Sequence, residues 1–424
     1  MKLLTLTEYI TEKQNFTNSA FNLVMEGGAA GHMMHPFDDN SLTFADFKMF
    51  VDRGLQGDLN FEEAPTEKTD GQNLFVTMID GKVMFARNKG QLSTPLDLIA
   101  LVSMFANHAS EAVRDTFTFA AQDLAGSLQR LPAKTQEDFF QNGKAFMNME
   151  LIYSGNANVI AYNRDVIQFH GIVTIEDGTT NSKAAKDLAK ILQDTNNHVQ
   201  KTFTIIPPQE LNINKIPDFE EKKGYFLGKI NALQSKYSLS ENEPVSKYHE
   251  MWWKDEIEAM FPNVDANLKH GMLMRWAYDD KKTLNIRDIA KQVTPEEKAA
   301  FDKFDKEDLK SKQKENIRPF EDIFLELGST ILKNVSNLLA LNPSVEAQRL
   351  HNQISTEAGK IKTNGDLSQI DKVEKELARL DRIGGIESIM PTEGIVFKYK
   401  GKIYKLTGTF AAINQLMGII KYGR

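Results

Sequence analysis

The residues with most chemistry to offer begin at Lys68, in the stretch Glu67-Lys68-Thr69-Asp70-Gly71-Gln72-Asn73. A lysine amine is a nucleophile only when neutral, so burial or neighbouring cations must lower its pKa before it can attack. Asp70, Gly71 and Asn73 are small or polar and would let the sugar and phosphate of a nucleotide come close. Alone, Lys-x-Asp-Gly says little, since it recurs by chance in roughly one chain in ten of this length. A scarcer pattern stands near the other end: Glu393-Gly394-Ile395-Val396-Phe397-Lys398, then Gly401-Lys402-Ile403-Tyr404-Lys405-Leu406-Thr407. Between the two lie Phe146-Met147-Asn148-Met149-Glu150-Leu151 and Val166-Ile167-Gln168-Phe169-His170-Gly171.

Strands must position these groups. Asp80-Gly81 separates the apolar runs 74–79 and 82–86 and predicts a hairpin, with Lys68 just before its first strand. Alternation over 146–152 puts Glu150 in a strand, pointing away from Met149. Taken without context, a carboxylate there faces solvent and Phe169 packs in a core. Strands are also expected over 394–399 and 402–408, and a helix over 410–422.

Four patterns in this order resemble the covalent nucleotidyltransferase superfamily of ATP-dependent DNA ligases, RNA ligases and mRNA capping enzymes. Asn73, five residues after the lysine, Glu67 just before it and Arg87 some twenty residues on are similar to the RNA-ligase branch. The stretch Gly27-Gly28-Ala29-Ala30-Gly31-His32-Met33-Met34-His35-Pro36-Phe37-Asp38 resembles tailed-phage proteins described as nucleotidyltransferases.

The resemblance implies an α+β fold, a nucleotidyltransferase (ATP-grasp-like ligase) core of antiparallel sheets. It implies ATP and Mg²⁺, with Lys68 attacking the α-phosphorus to give a lysyl–AMP phosphoramidate. Glu67 would recognise the 6-amino group, Phe169 stack on the purine, and Glu150 contact the ribose or a metal-bound water. Asp70, Gly71 and Asn73 would line the nucleotide pocket. Arg87, Lys398 and Lys405 would neutralise phosphate charge and depress the Lys68 pKa, and Glu393 would hold the metal or orient Lys68. AMP would then pass to an acceptor, with RNA end joining expected. Transfer to a protein or small molecule without sealing, or a silent binding module, are the alternatives. Many ligases close with Lys-x-Lys where this chain has Lys405-Leu406-Thr407, which bears on sealing more than on self-adenylylation.

A chain of 424 residues suggests two or three domains. A net charge of −7 supplies no global basic field for nucleic acid, so any such groove must be local. The absence of cysteine excludes disulfides and thiolate metal sites and fits a reducing compartment, the cytoplasm or a host's cytoplasm. The first residues are too polar for a signal peptide, and no apolar run is long enough to span a membrane.

The expected organisation is a helical and glycine-rich segment over 1–60, core over 61–179, a helical insertion over 180–385, and core again over 386–424, with no room for an OB-fold. Thr43 should open a helix burying Phe44, Phe47, Phe50 and Val51. His32 and His35 lack further ligands for a metal, and 27–31 lacks the lysine of a P-loop. Leu96, Ile99, Leu101, Met104, Phe105, Phe117, Phe119 and Leu124 recur at helical spacing and read as core. Trp252 and Trp253 read as core before base-stacking platforms. The mixed-charge block 180–385 is expected to fold by itself and to select the acceptor.

Overall fold

The computed structural model describes residues 33–422, apart from 157, 177–179, 197–201, 279–288, 290–292, 341, 365–368 and 387–388. The segment 1–32, with the expected glycine-rich loop and His32, lies outside the described residues. The fold is α+β with mainly antiparallel sheets. Among the described residues no helix is long and apolar enough to cross a membrane.

The chain forms two compact units. The first holds Pro36–Arg53 and Asp218–Phe324, the second Gly54–Pro217 and Leu325–Arg424. The block expected over 180–385 is therefore divided: only its middle belongs to the helical unit. Residues 204–206 join a strand of the large sheet, which ties the start of that block to the second unit.

The helical unit is organised by aromatic packing. The helix Phe44–Gln56 begins as its sequence predicts, with the Asp46 N–H donating to Thr43 Oγ1 (3.1 Å) and the Thr43 N–H to Asp46 Oδ2 (2.9 Å). Its Phe44, Phe47 and Phe50 are fully buried, and Phe47 meets Phe324 edge-on at 4.7 Å. Trp252 and Trp253 are buried, so neither is a stacking platform. The neighbouring Trp276 donates its indole N–H to Asp305 (3.0 Å), which Arg275 grips through two bonds of 2.7 Å. Pro319 lies inside the helix Leu309–Leu332. Buried Phe320, Ile323, Phe324 and Leu327 anchor that helix beyond the hydrogen bond the proline removes.

The second unit carries two sheets. In the larger, β2 (Gln72–Ile79) and β3 (Lys82–Ala86) form the expected hairpin. Asp80 and Gly81 both have positive φ, 49° and 72°, as a two-residue turn matching strand twist requires. β4 (Ala145–Ile152) pairs with β2, and β5 (Val166–Thr174) with β4. The short β6 (Thr180–Asn181) and the parallel β7 (Thr204–Ile206) also pair with β5. One face of this sheet, with Leu74, Val76, Met149, Ile167 and Phe169, packs on helices Glu111–Leu128 and Ser182–Asn196. Leu101, Phe117 and Leu124 join that core, whereas Ile99 and Met104 are exposed (77% and 41%) and do not. The helix carrying them, Leu98–Phe105, is apolar on nearly all sides, so helical spacing could not say which side is covered.

The smaller sheet has the order β1-β8-β9, from β1 (Thr66–Lys68), β8 (Gly394–Tyr399) and β9 (Lys402–Thr407). The helix Thr409–Tyr422 follows. The strands expected near 394–399 and 402–408 are thus present, and β8 draws β1 to it from more than three hundred residues upstream.

Candidate active site

β1 ends on Lys68. Its register with β8 pairs Thr66 with Val396, Glu67 with Ile395 and Lys68 with Gly394, and β9 continues the ladder with Lys405 opposite Val396 and Thr407 opposite Gly394. Residues opposite one another share a face, and neighbours along a strand alternate. Lys68, Lys398, Lys405 and Thr407 therefore stand on one face. Glu67, Ile395, Phe397, Tyr404 and Leu406 stand on the other, which is buried.

Carboxylates, not cations, dominate around Lys68. Its Nζ lies 2.7 Å from Glu393 Oε2, with both side chains only partly exposed. Burial would lower the Lys68 pKa, but Glu393, then Glu150 and Asp70, outweigh it and hold the amine above its ordinary value. The expectation of a lysine depressed by cations is corrected by this geometry. Lys398 does not point at Lys68 as a free charge: its Nζ is 3.0 Å from Glu63, which also accepts from the Ser182 hydroxyl at 2.9 Å. Arg87 serves β2 itself, donating to the Asn73 carbonyl oxygen and to Gln72 Oε1 (3.0 Å), with its guanidinium 4.7 Å over the Phe117 ring. Burial lowers its pKa, and Glu150 opposes that.

Asp70 is a clamp. Its Oδ2 accepts from the N–H groups of Val159 (2.7 Å) and Ile160 (2.8 Å), and its own N–H donates to the Tyr162 hydroxyl at 3.0 Å. Burial lifts the Asp70 pKa to about 6; the two N–H bonds oppose the rise, while Glu393 and Glu150 add to it. Gly71 must be glycine, since a Cβ would lie 2.6 Å from the Leu151 carbonyl oxygen and 2.7 Å from Glu150 Cγ. The Asn73 amide donates to Asn148 Oδ1 (2.6 Å) and the Met149 carbonyl oxygen (3.3 Å), while its own Oδ1 has no partner.

Glu67 and Phe169, both expected against the purine, are placed apart from the Lys68 face. Glu67 points away from Lys68, and its Oε2 accepts the Leu339 N–H at 2.7 Å. Burial raises its pKa to about 7, against the Leu339 N–H, the Thr392 hydroxyl and Arg164. The Thr392 hydroxyl also donates to the Lys68 carbonyl oxygen (3.1 Å), so it links the two ends of this turn of chain. Phe169 is fully buried in the helix-facing core and is not on the site face. The register explains this: Met149 pairs with Phe169 and Glu150 with Gln168, after a bulge that leaves His170 unmatched. Glu150 thus has Gln168 across from it, and His170 Nε2 3.6 Å from its Oε2.

Thr407, where a second lysine is expected, has its hydroxyl 3.2 Å from His35 Nε2, and the Lys405 N–H donates to the Met34 carbonyl oxygen at 2.9 Å. Among the described residues no group of three or more histidine or acidic side chains gathers as a metal cage. Glu393 and Glu150 do offer the oxygen donors that Mg²⁺ takes from a protein, an ion that draws its other ligands from phosphates and water.

Sequence reasoning missed Asn158, Tyr162, Gln168, Leu339 and Thr392. Asn158 bonds the Gly71 carbonyl oxygen (3.0 Å) and Gln72 (3.0 Å) from a loop with no periodic signal. Gln168 did carry a signal, as the one amide inside the apolar run 166–169.

No protein-family model, no curated protein and no solved structure matches the chain.

Proposed function

We propose that the chain is an ATP-dependent nucleotidyltransferase that forms a lysyl–AMP intermediate at Lys68 and passes AMP to an RNA end. The observation carrying this reading is the Lys68–Glu393 pair at 2.7 Å, on the sheet face that also bears Lys398 and Lys405. The Lys68 ammonium first gives up one proton to water; the free amine then bonds to the α-phosphorus as the bond from that phosphorus to pyrophosphate breaks, and the second proton on the new P–N nitrogen leaves with the pyrophosphate. Because Glu393, Glu150 and Asp70 hold the amine protonated, a cationic load on these carboxylates is needed to release it. Mg²⁺ held by Glu393 and Glu150 would supply charge neutralisation for the phosphates. Lys398 meets phosphate after parting from Glu63, and Lys405 lies on the same face.

Asp70 and Gly71 shape the pocket wall, one by holding 159–160 and one by lacking a side chain. Thr407 in place of the second lysine favours a second reading, in which AMP is transferred without strand sealing.

The test is incubation with each α-labelled nucleoside triphosphate and Mg²⁺, followed by a denaturing gel. Label from ATP that resists alkali, breaks in acid and is lost in Lys68→Ala supports the reading. Label retained at wild-type level in Lys68→Ala removes Lys68 from the mechanism.

A further inference from the structure

Asp70 is supported from a distant helix. The N–H that Ile160 donates to Asp70 Oδ2 (2.8 Å) shares one peptide unit with the Val159 carbonyl, whose oxygen accepts from Arg349 Nη2. A trans peptide points its C=O and N–H in opposite directions, so guanidinium and carboxylate stand on opposite sides of this unit. Each charge lies at the end of the peptide dipole that favours it, the cation at the oxygen and the anion at the N–H. Hydrogen bonds in such a chain polarise and strengthen one another. The Val159 N–H, which donates to the same Asp70 oxygen at 2.7 Å, belongs to the preceding peptide unit and serves as a contrast.

Arg349 is itself held in aim. It lies on the helix Pro343–Asn364, in the same compact unit as Asp70. Its Nε donates to Glu346 Oε2 and its Nη1 to Gln353 Oε1, both at 3.0 Å. The Glu346 side chain is only 5% exposed. An ion pair on a helix surface is usually solvated and worth little, whereas a buried carboxylate fixes the planar fork of its arginine. Val159 packs against the core that this helix shares with Thr409–Tyr422, around Leu350, Ile354, Ile413 and Leu416. On its other side the same segment grips the Lys68 loop, where Asn158 donates to the Gly71 carbonyl oxygen at 3.0 Å. Asp70 stands two residues after Lys68, and its charge acts on the amine.

We propose that Arg349 is a positioning residue for Lys68: through the Val159–Ile160 peptide unit it fixes the Asp70 carboxylate, and with it the loop that carries the lysine. Its effect on catalysis rests on the nucleotidyltransferase reading; its hold on Asp70 does not. Arg349 lies on the far side of that peptide unit from Asp70, so its loss costs the aim of the lysine rather than a contact with the nucleotide.

The experiment compares the full chain with Arg349→Met and Arg349→Lys by amide NMR and by self-labelling with α-labelled ATP. In Arg349→Met the Ile160 amide proton should move upfield as its hydrogen bond weakens, and the Val159 amide much less, because only the Ile160 unit carries the arginine contact. General loosening of the segment would move both alike. The labelling rate at saturating ATP should fall about ten-fold in Arg349→Met while KM stays within about two-fold. Arg349→Lys, whose ammonium can still meet the Val159 carbonyl, should recover part of both the shift and the rate. On the unaltered chain the Arg349 Nη protons should give separate signals, as a guanidinium gripped on several sides rotates slowly. That arm decides the matter if the variants fail to fold. Equal movement of the two amides, an unchanged labelling rate in folded Arg349→Met, or freely averaging Nη protons would each overturn the assignment. The amide signature without any covalent label on the wild type would sink the lysyl–AMP reading and leave Arg349 as the support of Asp70.

Discussion

Lys68 and Glu393 are joined both through side chains, at 2.7 Å, and through the backbone, where the Glu393 N–H donates to the Lys68 carbonyl oxygen at 3.1 Å. The backbone bond keeps the two Cα positions together at the β1–β8 edge, so the carboxylate stays within reach of the amine. The pairing keeps the lysine charged until something competes for Glu393. Neutralising the carboxylate should therefore free the amine. In Glu393→Gln, acylation of Lys68 by an amine-reactive ester at pH 8, read by peptide mass spectrometry, should be faster than in the wild type, because the largest charge holding the amine protonated is gone. The same variant should lose on the order of a hundred-fold in self-labelling, because orientation and charge stabilisation go with the carboxylate.

Glu67 makes stability depend on pH. Its folded pKa, about 7, lies above the ordinary 4.5, so its contribution is fully present below the ordinary value and is lost as pH rises through 7. Asp70, raised to about 6, adds the same sign over a lower window. Glu67→Gln should match the wild type in urea unfolding at pH 4 to 5 and exceed it by on the order of 2 kcal/mol at pH 8. A variant equally destabilised at both pH values would count against the buried, protonated acid.

Arg87 holds β2 through a forked contact and a ring face, so its substitution should show first in stability. Arg87→Lys should cost about 1–2 kcal/mol in chemical denaturation, since an ammonium cannot span both acceptors and stack on Phe117. An unchanged midpoint together with a raised KM for ATP would instead mark Arg87 as a phosphate ligand free of the sheet.

Gly71→Ala should be poorly tolerated. The added methyl meets the Leu151 carbonyl oxygen at 2.6 Å, backbone that can yield only by bending β4. A loss of about 1–3 kcal/mol is expected in the unfolding free energy, with slower self-labelling because Glu150 lies on the other side of the same contact. A thermal midpoint equal to that of the wild type would show that β4 gives way freely.

Much of this site could be read from the residues because its signals are local. Asp80-Gly81 needs two positive φ angles in a row, and the alternation in 394–399 and 402–407 is long enough to fix both strands. The face assignment at Phe169 was not legible. One extra residue in β5, His170, sets which of Gln168 and Phe169 stands across from Glu150, and bulges leave no periodic mark. The limits of the helical unit were hidden for a different reason. Mixed-charge helices look alike in sequence whether they pack on a sheet or on each other, so 180–217 and 325–385 could not be told from 218–324.

The pairing of β1 with β8 has a consequence for how the chain comes to fold. Glu67 meets Ile395 across a separation of 328 residues, and the intervening chain includes all of Asp218–Phe324. During synthesis the hairpin and its helices can form early, and β1 can bond the 209–211 segment on one side, while its other edge stays open until β8 leaves the ribosome. Closing so large a loop is slow, and an open strand edge is where chains stick to one another. The lysine strand thus joins its sheet only near the end of synthesis, and a ribosome-stalled chain ending before 394 would hold a folded large sheet but no Lys68–Glu393 pair.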